Sequence, residues 1–163
     1  MAVTLVAFIA FAFHALGPDA FGIRHSAFGI DERRPPLARV DAMPAGPARP
    51  GAVLRLVVKV TPREGIHIYA PPEKEFKPIT LMLESPPGVR VGKPRYPAST
   101  VRTFEGQRVH VYDEPFSIEV PVTPGRRAAG ELTVTGVVTY QACDDLVCYL
   151  PIKVPVRWDV RVQ

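Results

Sequence analysis

The last segment of the chain carries its strictest pattern. Ile152, Val154, Val156, Trp158, Val160 and Val162 alternate without a break with Lys153, Pro155, Arg157, Asp159 and Arg161. Successive side chains on a strand point to opposite faces, so this segment predicts a strand with one face in a core and the other in water, and Trp158 belongs to the core face. Pro155 falls on the wet side and has no N–H to give a neighbour, which predicts an edge strand or a bulge. The same period recurs at Val53–Val60, Gly65–Ala70, Ile79–Leu83, Val109–Tyr112, Phe116–Val122 and Glu131–Ala142, with a short first strand at Leu37–Ala42. Turn sequences separate these runs: Ser85-Pro86-Pro87-Gly88, Asp113-Glu114-Pro115 and Pro124-Gly125. No segment carries an amphipathic helical period. The chain also holds 19 Pro and 12 Gly in 163 residues, and an interior Pro costs a helix about 3 kcal/mol. Seven or eight short strands with frequent turns predict an all-β fold, an immunoglobulin-like antiparallel β-sandwich, over residues 37–163.

Two segments precede that domain. Residues 1–16 are apolar apart from Thr4 and His14. That run is short of the roughly 20 residues that span a bilayer as a helix and fits the apolar region of a secretory signal. No Lys or Arg comes before it, and the small-x-small triplet Ala10-Phe11-Ala12 lies inside it. The expectation is a signal peptide or an N-terminal membrane anchor, and hence an extracytoplasmic domain. Residues 17–36 read as a Pro-rich linker ending in Arg33-Arg34-Pro35-Pro36, and Pro44, Pro47 and Pro50 keep the following stretch extended. The net charge of +4 is small and its Lys and Arg residues are scattered, so no basic stripe points to nucleic acid. The four His residues lie between positions 14 and 110, with no pair at metal-ligand spacing. No feature points to a small-molecule substrate or a cofactor.

The two cysteines, Cys143 and Cys148, are close together in Thr139-Tyr140-Gln141-Ala142-Cys143-Asp144-Asp145-Leu146-Val147-Cys148-Tyr149-Leu150-Pro151. A strand enters, four residues turn, and a strand leaves. Opposed Cα atoms of an antiparallel pair lie about 4.5–5.5 Å apart, within the reach of a disulfide. Such a bond would close a very short loop, and the chain-entropy model gives it roughly 2 kcal/mol. It would therefore stabilise the fold weakly and could open without unfolding it. Asp144 and Asp145 beside the sulfurs disfavour thiolates, which suits a pair attacked by a partner's thiolate. The thioredoxin C-x-x-C spacing and its βαβ setting are absent. A static structural disulfide in a binding module, a thiolate metal site of a copper- or haem-pathway accessory protein, and a redox pair all stay open on the residues alone.

Tyr140-Gln141-Ala142-Cys143, the acidic loop, Cys148 and Pro151 resemble the active-site hairpin of the N-terminal domain of the DsbD family of thiol:disulfide interchange proteins. The resemblance runs over about residues 40–162. It takes in Gly65-Ile66-His67-Ile68-Tyr69, Pro78-Ile79-Thr80-Leu81 and Tyr96-Pro97. It implies an immunoglobulin-like periplasmic domain that acts as a protein-disulfide reductase. Reducing equivalents would come from a membrane electron carrier of the DsbD or CcdA type and pass to thioredoxin-like periplasmic proteins, including those of cytochrome c biogenesis. It also implies that Cys143 and Cys148 are the redox pair, with Cys148 attacking partner disulfides and Cys143 resolving. Phe104, in Thr103-Phe104-Glu105-Gly106, matches the aromatic of the family's shielding loop. His67 and Tyr69 fall where the family places aromatics near the sulfurs, and Tyr140 and Tyr149 adjoin the cysteines. This chain differs from the best-known member in having four residues between the cysteines where that member has five. The family's membrane region and thioredoxin-like C-terminal domain do not follow within these residues, so the expected donor is a separate protein unless this is a fragment.

Overall fold

The computed structural model describes residues 36–163, apart from Pro72 and Glu105. The expected signal or anchor at 1–16, and the linker at 17–36 up to residue 35, lie outside the described residues.

All regular secondary structure among the described residues is strand. In chain order the strands are β1 (Ala38–Ala42), β2 (Leu54–Pro62), β3 (His67–Tyr69), β4 (Thr80–Leu83), β5 (Val89–Val91), β6 (Thr100–Phe104), β7 (Gln107–Tyr112), β8 (Phe116–Pro124), β9 (Gly130–Tyr140), β10 (Ala142–Cys143) and β11 (Ile152–Val162). They form three antiparallel sheets, ordered β1-β2-β8-β5, β11-β9-β4 and β10-β3-β7-β6. The first two carry the body of an immunoglobulin-like β-sandwich. Leu56, Val58 and Val60 of β2 and Ile118, Val120 and Val122 of β8 share one buried cluster with Val134 and Val138 of β9 and Val156, Trp158 and Val160 of β11. Each set falls on alternate positions of its strand, with Gly136 between Val134 and Val138 on β9, so the period read in the sequence is the inward face of each layer. β11 pairs with β9 along its whole length, from Ile152 opposite Tyr140 to Val162 opposite Gly130. β11 is an edge strand, and Pro155 sits in it without a bulge, opposite Val137.

Two corrections concern the strands. The run Glu131–Ala142, expected as one strand, is two. It leaves the β11-β9-β4 sheet after Tyr140, and Ala142 and Cys143 pair instead with Ile68 and His67 of β3. A sandwich corner made by a strand that changes sheets leaves no mark here, because the alternation Leu132, Val134, Gly136, Val138, Tyr140, Ala142 continues straight through it. The second correction is that β5 and β6 were not expected. β5 is three residues long, and β6 (Thr-Val-Arg-Thr-Phe) lies at a sheet edge with almost every side chain exposed, so neither shows a period.

β3 is buried at all three positions. The turn that leads into it needs a left-handed residue, which Gly65 supplies at φ 73°. From there Ile68 points into the main core, while Tyr69 faces the other way, into a smaller cluster with Val109, Val111 and Cys143. That second face is the floor of the candidate site.

Candidate functional site

Cys143 and Cys148 are joined by a disulfide, with Sγ atoms 2.07 Å and Cα atoms 4.1 Å apart. The strand switch sets their environments. Cys143, on β10, lies opposite His67 and is only 1% exposed. Cys148, after the loop, is exposed. Cys148 is therefore open to a docking molecule, and Cys143 is held inside.

Asp144 shapes the loop between them. Its Oδ1 accepts from the backbone N–H of Leu146 and of Val147, both at 2.8 Å, and its Oδ2 accepts from the Tyr149 hydroxyl at 2.6 Å. The Tyr149 hydroxyl, followed by the Val147 and Leu146 N–H groups, pulls the Asp144 carboxyl down to about 2. This is the Asx-turn device, in which a short carboxylate mimics a backbone acceptor. Asp144 thus stays ionised beside the disulfide, with its charge spent on the loop.

Tyr69 lies against both sulfurs. Its hydroxyl is 3.5 Å from Cys143 Sγ and 3.6 Å from Cys148 Sγ. Sulfurs in a disulfide carry no hydrogen, so the hydroxyl donates. Burial raises the Tyr69 pKa from 10.0, with Glu73 adding to the rise, and the hydroxyl keeps its proton at neutral pH. His67 meets the Tyr69 ring edge-on at 5.7 Å and stacks on Phe104 at 4.3 Å. His67 is 6% exposed, and its pKa falls below 6.5 because burial outweighs the opposing pull of Asp145, Asp113 and Asp144. Beyond Tyr69, Phe76 stacks almost parallel to it at 4.3 Å. Phe76, Tyr69, His67 and Phe104 thus make a continuous aromatic row, and all four line a cleft of about 210 Å³ whose wall includes both cysteines.

Phe76 is the residue that sequence reasoning missed. Its setting, Glu73-Lys74-Glu75-Phe76-Lys77, is charged and flanked by proline, and a lone large aromatic there was the available signal. Several bonds hold its loop. Glu73 accepts from the N–H groups of Lys74 (2.7 Å), Glu75 (3.0 Å) and His110 (3.3 Å), and the Gln107 amide bonds Glu75. Gln141, at the strand switch, accepts from Lys77 N–H at 3.3 Å and donates to the Tyr149 carbonyl at 3.2 Å. It ties the Phe76 loop to the segment leaving the cysteine loop.

Of the other expected site residues, Phe104 reaches the cleft from the end of β6. Tyr149 is half-buried and acts on the loop through Asp144. Tyr140 is placed elsewhere. It is 1% exposed in the main core and does not line the cleft, because the chain turns into another sheet just after it. Among the described residues, no group of three or more His, Cys, Asp or Glu side chains is arranged to hold a metal ion.

The fold and site define an all-β sandwich with a cystine at a hairpin tip, one cysteine exposed and the other buried beneath aromatics. The family profile "Thiol:disulfide interchange protein DsbD, N-terminal" matches residues 37–157, and the chain belongs to that family. No curated protein sequence matches the chain significantly. Among solved structures, the N-terminal periplasmic domain of ScsB from Proteus mirabilis is similar at a TM-score of 0.53 and 16% identity, over 76% of this chain and 46% of that one. The reduced N-terminal domain of DsbD from Neisseria meningitidis matches at a TM-score of 0.47 and 19% identity, over 72% of this chain and 81% of that one.

Proposed function

We propose that this domain is an extracytoplasmic thiol–disulfide exchange module that passes reducing equivalents to thioredoxin-like partners through Cys143 and Cys148. The observation that carries the reading is the asymmetry of the cystine, with Cys148 exposed and Cys143 1% exposed. In the reduced domain, the Cys148 thiolate attacks a sulfur of the partner's disulfide. That bond breaks, a mixed disulfide forms, and the partner's second sulfur leaves as a thiolate. Cys143, as a thiolate, then attacks Cys148 Sγ, which releases the partner's remaining thiolate and restores the cystine. Two electrons have passed to the partner, whose two thiolates then take up the protons that Cys143 and Cys148 lost on ionising.

A membrane carrier of the DsbD or CcdA type reverses these steps to recharge the pair. The Tyr69 hydroxyl, within 3.6 Å of both sulfurs, donates to whichever one carries charge. The burial of Cys143 keeps the resolving sulfur for its neighbour in the hairpin. An oxidising compartment suits a cystine of this kind, as do the apolar residues 1–16 and the periplasmic domain named for the ScsB structure.

The test mixes the dithiothreitol-reduced protein with an oxidised thioredoxin-like protein. Reduction of the partner is expected. Cys143→Ala should stop turnover and accumulate a mixed disulfide through Cys148, and the double Cys→Ala protein should be inert. Full activity in the double variant would sink the reading.

A further inference from the structure

Among the described residues, large apolar side chains are conspicuously exposed at eight positions, and three of them are Leu146 (92%), Val147 (51%) and Leu150 (86%). All three lie within two residues of the exposed Cys148. At 3.8 Å between consecutive Cα atoms, each is within about 8 Å of it along the chain. Asp144 holds the loop from inside by accepting from the Leu146 and Val147 N–H groups. Exposed apolar groups gathered at one spot mark a contact surface rather than ordinary scatter.

We propose that Leu146, Val147 and Leu150 form a recognition rim that docks the apolar surroundings of a protein partner's disulfide. The inference rests on the exchange reading above and deepens it. Chemistry at Cys148 dictates the occupant. A mixed disulfide brings the partner's Cα to about 4.4–6.8 Å from that of Cys148, so the partner's chain must lie over residues this close to the sulfur. A partner with apolar side chains beside its cysteine gains by burying them on this rim, whereas a charged one would be desolvated without compensation. The loop is already fixed by the Asp144 bonds, so little ordering opposes contact. The rim therefore selects protein disulfides over small ones and leaves the chemistry of the sulfurs unchanged.

The test uses the full chain, reduced, in two reactions: with oxidised thioredoxin as the protein probe and with oxidised glutathione as the small one. Leu146→Ser/Leu150→Ser changes only side chains that are almost fully exposed and keeps every backbone bond of the loop. It should lower the second-order rate with thioredoxin by roughly tenfold or more, as loss of two buried leucine contacts implies. The glutathione rate should stay within about twofold of wild type. Met82→Ser, at another exposed apolar position (74%) on the separate strand β4, should leave both rates unchanged.

Equal falls in both rates, or no fall with thioredoxin, overturn the rim. So does a wild-type protein that reacts no faster with thioredoxin than with glutathione. Rim-dependent co-sedimentation with anionic lipid vesicles, or rim-dependent self-association in ultracentrifugation, would reassign the surface to a membrane or to a second copy and likewise overturn it. A wild-type pair that exchanges with neither probe brings down the exchange reading itself.

Discussion

β11 and β3 bury their residues in opposite ways. From Val156 to Val162 of β11 every second residue is buried and the others are wet, and the strand serves one core. β3 is three residues long and buried throughout, with Ile68 in the sandwich core and His67 and Tyr69 turned to the cystine. β11, with one wet face, packs only its other face into the core. A strand covered on both faces can build a core with one and a reaction site with the other. The two duties on β3 should therefore come apart under substitution.

The sharpest separation uses Ile68, which is 0% exposed. Ile68→Ala removes core packing and should cost about 2–5 kcal/mol in denaturant unfolding. Exchange measured under conditions where the variant is folded should stay within a few-fold of wild type. A collapse of exchange in the folded variant would show that the two faces are not separable.

Tyr69→Phe probes the other face with less force. It keeps the ring that stacks on Phe76 and removes the hydroxyl near both sulfurs. One hydrogen bond is worth about 0.5–1.5 kcal/mol, so exchange should slow by about threefold to tenfold while the unfolding midpoint barely moves. A large loss of stability with unchanged exchange would reverse the assignment of faces.

The smallest effect concerns pH. Burial lowers the His67 pKa from 6.5, so the folded protein holds this ring neutral where the unfolded chain has begun to take up a proton. Unfolding then binds a proton as pH falls below 6.5, and the His67 contribution, complete above that value, is lost progressively toward lower pH. Stability of wild type relative to His67→Phe should be flat from pH 8 to 7 and decline from pH 6.5 to 5. Parallel curves for the two proteins would contradict the burial of His67.

This contrast also explains how much the sequence revealed. β11, β8 and β2 are legible because long strands with one wet face must alternate, and Trp158 falls in the core as its place in that alternation requires. The same rule is silent on β6, where Val101 sits among Thr100, Arg102 and Thr103 at an edge with no buried face. It is silent too on the switch at Gln141, since residues on both sides of the switch are apolar whichever sheet they join. The cysteine pair and its hairpin were plain from spacing and turn. Tyr69, His67 and Phe104 came through resemblance to a family, because no local pattern reports what lies across a cleft. Phe76 comes from a loop far along the chain from Cys143, and only tertiary packing brings it onto Tyr69.

The proposed exchange depends on the cystine opening and closing while the sandwich stays folded. Equilibrium titration against dithiothreitol, with the fold followed by circular dichroism, measures this directly. A redox relay with so short a loop should titrate reversibly at a potential above about −300 mV with the β-sheet signal intact. A potential below that value, or loss of the sheet signal on reduction, would mark the bond as a fixed part of the structure and contradict the relay.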